Sequence, residues 1–279
     1  DDSETYSGNK DFILRYSLSG DMIETGLLLS QNDGENFFLL MLQPPKRIEK
    51  IKIPPREYIF VTDVSGSMHG FPLNVAKTLI KKLLNELRED EKFNIIFFSG
   101  ASFFLFEKSQ FATKQNIEQA IKLLDEQTGG GGTELLPALE KVFKYPKDQN
   151  YSRIISIITD GYVTVEKEVF KLIRENLDES NVFSFGIGTS VNRFIIEGIA
   201  RAGQGEPFII TNQDEAENQS EKFRKYIESP IMTDIKLELE RFEAYDIEPE
   251  KIPDVLALSL IHISEPTRLL SISYAVFCL

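Results

Sequence analysis

The chain has 279 residues, 42% hydrophobic and 27% charged, and its 44 acidic and 31 basic side chains leave a net charge of −13. That length suits one large domain or a domain with a smaller companion. So acidic a chain is repelled by phosphate backbones and anionic lipid, which argues against nucleic-acid partners and membrane adsorption, and no apolar run reaches the ~18 residues of a membrane helix.

Cys278 is the only cysteine, and His69 and His262 are the only histidines, so an intrachain disulfide and a thiol/imidazole zinc site are both ruled out. The polar start Asp1-Asp2-Ser3-Glu4 is no signal peptide. A processed or truncated chain would begin the same way, so secretion stays open.

Taken in order, residues 11–19 alternate Phe12, Leu14, Tyr16 and Leu18 with polar neighbours, which predicts a strand. Apolar runs at 27–29 and 37–42 flank the turn signal Asn32-Asp33-Gly34. Pro44-Pro45 and Pro54-Pro55 bracket a charged linker, so residues 1–53 read as a small β piece with its linker.

From Glu57 the texture becomes strand-helix alternation. Strands are expected at 58–61, 93–98, 102–106, 153–159, 182–187 and 207–211. The turn Ser99-Gly100 makes 102–106 an antiparallel neighbour of 93–98. Helices are expected where apolar residues recur at helical spacing: Leu73, Ala76, Ile80, Leu83, Leu84 and Leu87 after Pro72; Ile117, Ile121 and Leu124; then 134–145, 165–177, 192–202 and 214–229. This pattern implies an α/β fold, doubly wound, with a mostly parallel sheet, one antiparallel edge strand and short all-β flanks.

After Pro230 the period returns to two, with Ile235, Leu237 and Leu239 alternating with charged residues, and residues 231–256 are expected to pair with the N-terminal β piece. The stretch 257–279 nearly loses its charge and holds Cys278 and His262; its composition reads as a non-native tail, and no function is given to either residue.

Three loops carry the chemistry. Asp63-Val64-Ser65-Gly66-Ser67 follows the first strand of the α/β unit, Gly129-Gly130-Gly131-Gly132-Thr133 precedes a helix, and Thr159-Asp160-Gly161 ends a buried strand. Each alone has an ordinary reading as a turn or a helix cap. In a parallel sheet, however, all three meet at the carboxyl edge, where ligands bind. Two carboxylates and three hydroxyls there form a hard-oxygen set suited to Mg²⁺ or Mn²⁺. Two carboxylates ~5 Å apart repel by roughly 3 kcal/mol at an effective dielectric near 20, and a divalent cation removes that penalty.

The pattern D-x-S-x-S, distal Thr and T-D-G resembles the metal-ion-dependent adhesion site, or MIDAS, of von Willebrand factor type A (VWA) domains, across residues 54–230; Phe185-Gly186-Ile187-Gly188 also fits. The resemblance implies that Ser65, Ser67 and Thr133 bind the ion directly, and Asp63 and Asp160 directly or through water. Residues 11–16, 37–45 and 55–57, with 245–254 after the domain, resemble the flanks in VIT-plus-VWA proteins, such as inter-alpha-trypsin inhibitor heavy chains and bacterial surface and sortase-target relatives. On that resemblance the chain is an internal fragment following a truncated VIT domain, from an extracellular or cell-envelope protein.

The implied function is a metal-dependent protein-binding or adhesion module, capturing a carboxylate of a partner protein or matrix ligand. The alternatives are an intracellular VWA domain scaffolding an ATPase or chelatase complex, which the β flanks oppose, and a Mg²⁺-dependent phosphohydrolase. Against an enzyme, no P-loop lysine motif or Gly-x-Ser-x-Gly elbow occurs, Val191 stands where a dinucleotide fingerprint needs a third glycine, and His69 reads as an exposed loop residue with no orienting partner.

Overall fold

The computed structural model describes residues 24–32, 35–43, 55–148, 150–161, 165–177, 180–203, 205–227, 230–232, 236–239, 247, 252, 255–256, 261–267 and 275–278. The strand expected over 11–19 lies outside them. β1 (Glu24–Asn32) and β2 (Glu35–Gln43) pair antiparallel with Asn32 opposite Glu35. The α/β unit follows: β3 (Arg56–Asp63), α1 (Phe71–Asn85), β4 (Lys92–Phe98), β5 (Ser102–Phe104), β6 (Gln110–Phe111), α2 (Lys114–Asp125), α3 (Leu135–Lys144), β7 (Ser152–Thr159), α4 (Glu166–Arg174), β8 (Asn181–Ile187), α5 (Arg193–Ala202), β9 (Pro207–Ile210) and α6 (Gln213–Ile227). β10 (Pro230–Met232), β11 (Lys236–Leu239), β12 (Val255–Leu256), β13 (Ile261–Thr267) and β14 (Ala275–Cys278) complete the order.

The central sheet runs β5-β4-β3-β7-β8-β9, with β6 also paired to β4. β3, β4, β7, β8 and β9 are parallel, while β5 and β6 run antiparallel to β4. The doubly wound, mostly parallel sheet is therefore as the alternation implies. Its antiparallel edge is made of two short strands, where the sequence suggests one; a two-residue strand such as β6 carries no readable period.

The apolar runs form strands because both faces of the sheet are covered. Tyr58 and Phe60 of β3 join Phe93, Ile95 and Phe97 of β4 in a core beneath α1, α2 and α6. The alternate residues, Ile59, Val61, Ile96, Phe98, Ile155 and Ile157, face α3, α4 and α5. Pro72 sits in the first turn of α1, where its missing N–H has no intrahelical partner to lose. At the amino edge of the sheet a buried ion pair joins β3 to β7: Arg153 Nε lies 2.7 Å from Glu57 Oε2. The pair is satisfied on both sides, with Ser109 donating to Glu57 and Arg153 donating to the carbonyls of Tyr145 and Pro146.

Strand order reverses between β3 and β7. The chain leaves β3 for β4 on one side and returns to β7 on the other. Asp63 ends β3 and Asp160 follows β7, so both lie at the switch point, where diverging loops open a crevice.

The expected pairing of 231–256 with the N-terminal β piece falls largely outside the described residues. Among the described residues the second partner of β2 is β13, inside the 257–279 stretch. β10 pairs with β12, and β11 pairs with β14, which also lies in the 257–279 stretch. Antiparallel pairing between distant segments follows register and geometry that an alternating pattern alone does not encode.

Candidate metal centre

Asp63 is wholly buried at the end of β3, and its carboxylate is gripped at both oxygens. The Ser65 amide donates to Oδ1 at 2.8 Å, and the Thr159 hydroxyl donates to Oδ2 at 2.6 Å. Ser65 and Ser67 alternate along the loop and bring their Oγ atoms to 3.2 Å from each other. Ser65 is buried and Ser67 exposed, so the hydroxyl pair runs from the interior toward solvent. A short 3₁₀ turn, Gly66–Met68, anchored by the fully buried Met68, holds that direction.

The glycine loop is laced to this one. Gly66 N donates to Gly131 O at 3.1 Å, and Gly130 N donates to Val64 O at 2.9 Å. Glu134 N donates to Ser99 O at 2.8 Å and Val64 N to Phe98 O at 2.9 Å, so the end of β4 supports both loops. His69, read from the sequence as unpartnered, places Nδ1 2.8 Å from Thr128 O. A carbonyl only accepts, so Nδ1 carries the proton. Gly129 has φ +81, and a Cβ there would lie 3.1 Å from His69 Cα, so close approach of the loops demands glycine.

These bonds bring Thr133 to the same edge as Asp63, Ser65 and Ser67. The ordinary reading of Thr133 as a helix cap does not hold, since Glu134 occupies the N-cap position of α3 and no side chain caps it. The Thr133 hydroxyl is thus not spent on capping.

Asp160, 5% exposed, completes the set. Its carbonyl accepts from Asn192 N at 2.9 Å, which ties the loop to the start of α5. The Asp160 charge is felt at Asp63: burial pushes the Asp63 carboxyl above its ordinary value, bonds from Ser65 and Thr159 oppose this, and Asp160 raises it further. Thr159 is the residue beside the site that the sequence does not single out, since a threonine ending a buried strand carries no sign of its bond to Asp63.

The donors fit a hard divalent cation. A buried carboxylate beside a second one, with two adjacent hydroxyls, offers oxygen ligands only. No cluster of three or more His, Cys, Asp or Glu side chains occurs among the described residues, so a softer nitrogen or sulfur site has no counterpart there.

A doubly wound sheet with hydroxyl- and carboxylate-bearing loops at its switch point defines an α/β domain of the Rossmann-like class, with those loops meeting at the carboxyl edge. The von Willebrand factor type A domain family matches residues 56–207, and the chain belongs to that family. A von Willebrand factor A domain-containing protein of Dictyostelium discoideum is 30% identical over 183 residues, covering 65% of this chain and 20% of the relative. The chain spans about a fifth of the length of the curated relatives it matches. Among solved structures, a von Willebrand factor type A protein from Catenulispora acidiphila superposes with TM-score 0.60 at 14% identity, covering 90% of this chain and 66% of that one. Manganese-loaded TRAP protein of Plasmodium vivax superposes with TM-score 0.51 at 16% identity, covering 82% of each.

Proposed function

We propose that this chain is a metal-dependent protein-binding or adhesion module, in which Asp63, Ser65, Ser67, Thr133 and Asp160 hold Mg²⁺ or Mn²⁺ as a MIDAS. The observation that carries the reading is the Asp63 environment: a wholly buried carboxylate, held at both oxygens by the Ser65 amide and the Thr159 hydroxyl, with the Ser65–Ser67 hydroxyl pair leading from it toward solvent and the Asp160 charge felt beside it. A bound divalent ion would supply a counter-charge to the two carboxylates and a Lewis-acidic position for a carboxylate from a partner protein or matrix ligand. The Ser65–Ser67 pair leads that position out to solvent, and the glycine loop presents Thr133 beside it. Fold similarity to a manganese-loaded protein accords with the choice of ion.

The reading has no catalytic step. It gives the net charge of −13 a role, since an acidic module meets an acidic ligand group only where a cation lies between them. We assign the β flanks to a VIT-plus-VWA arrangement and the protein to the cell envelope or extracellular space, on the flanking residues that resemble that arrangement. Among the described residues, no helix is long and apolar enough to cross a membrane.

Isothermal titration of Mg²⁺ tests the site. The wild-type chain binds one ion, and Asp63→Ala loses that binding; equal affinity in the two proteins sinks the assignment.

A further inference from the structure

We propose that Thr159 is a positioning residue that fixes the separation of the two carboxylates and thereby the size of cation the site accepts. The inference rests on the metal-site reading above. Thr159 ends β7 with its side chain wholly buried. Its Oγ1 donates to Asp63 Oδ2 at 2.6 Å and accepts from Gly161 N at 3.0 Å. An amide N–H only donates, so the Thr159 proton is directed to Asp63.

Asp160 therefore lies between two residues that both bind into one relay ending on Asp63. Position along the β7 loop is transmitted to the β3 carboxylate through two hydrogen bonds, while the Ser65 amide holds the other oxygen. The far side of the relay is equally fixed. Gly161 has φ +86, and a Cβ there would lie 2.5 Å from Ile195 Cγ2, so the turn is seated directly on α5.

Rigidity of this kind discriminates between ions. Mg²⁺ demands near-octahedral geometry at ~2.0–2.1 Å, whereas Ca²⁺ accepts irregular shells at ~2.3–2.6 Å. Carboxylates held at one separation favour the ion whose size that separation fits, and carboxylates free to drift discriminate less. A merely structural role for Thr159 would change stability and leave the ion preference alone.

The test is separate calorimetric titration of Mg²⁺ and Ca²⁺ into wild type, Thr159→Val and Thr159→Ser. Val removes the hydroxyl at constant shape, and Ser restores it. Wild type prefers Mg²⁺; Thr159→Val loses about tenfold or more in Mg²⁺ affinity, the usual effect of removing a group that orients a metal ligand, while Ca²⁺ affinity falls less; Thr159→Ser recovers the wild-type ratio. Unchanged Mg²⁺ affinity, or an equal loss for both ions, overturns the proposal. Should Thr159→Val not fold, Thr159→Ala removes the same hydroxyl and is read by the same criteria. A wild-type chain that binds neither ion overturns the site itself, an outcome distinct from a wild type that binds and a Thr159→Val that matches it.

Discussion

Asp63 is the residue on which the site turns, and its burial has a consequence for stability. A carboxyl whose folded pKa is raised above its unfolded value contributes fully below the unfolded pKa, and that contribution is lost as pH rises through the folded pKa. Burial raises Asp63, so the ionised carboxylate weakens the metal-free domain at neutral pH. Asp63→Asn keeps the shape and removes the charge. In chelator at pH 7 it should unfold at or above the wild-type temperature, the gap should close on acidification, and Mg²⁺ should stabilise only the wild type. A variant less stable than wild type at every pH contradicts this. Gly161 gives a second test at the same scale. Its positive φ and the 2.5 Å approach to Ile195 leave no room for a side chain. Gly161→Ala should cost about 2–4 kcal/mol in chemical denaturation, combining backbone strain with overpacking; a loss under 1 kcal/mol, well below that range, would show that the turn relaxes.

The elements were legible where burial imposed a period. β3, β4, β7 and β8 read as strands because their residues fill both faces of the sheet, and the D-x-S-x-S and T-D-G loops could be placed at one edge because parallel strands end together. Thr159 escaped notice because a threonine at a strand end is ordinary; only the 2.6 Å bond to Asp63 distinguishes it. The N-cap of α3 falls at Glu134 and not at Thr133, a one-residue boundary that composition does not resolve, and β6 is too short to show a pattern. Glu57 and Arg153 lie 96 residues apart, so their pairing depends on the β3–β7 register. Breaking that pair with Glu57→Gln strands a buried guanidinium and should cost about 3–5 kcal/mol, measured by urea denaturation; a loss under 1 kcal/mol would show that Arg153 finds other partners. Packing of α6 predicts an alkaline limit. Burial and the Glu206 charge push the Tyr226 phenol from 10.0 to about 12. Neutral Tyr226 is favoured in the fold, so its contribution is intact below pH 10 and is lost on rising toward pH 12. Stability should fall there by about 1.4 kcal/mol per pH unit for such a group, and Tyr226→Phe should flatten the decline. Tyr58, also raised by burial, adds to it.

For the whole molecule, fold and charge act together. The sheet's switch point gathers oxygen donors from three loops, and the rest of the chain is acidic. Such a surface repels an acidic partner unless a cation stands between them, so binding should be abolished by chelator and by Asp63→Ala alike. Water relaxation of Mn²⁺ examines that cation and its open position at once. Mn²⁺ added to the wild-type chain should enhance water proton relaxation through its exchangeable water, a glutamate-bearing peptide should reduce the enhancement by displacing that water, and Asp63→Ala should show neither effect. Enhancement that persists unchanged on adding the peptide, or that survives in Asp63→Ala, would contradict capture of an acidic partner through a metal held at Asp63.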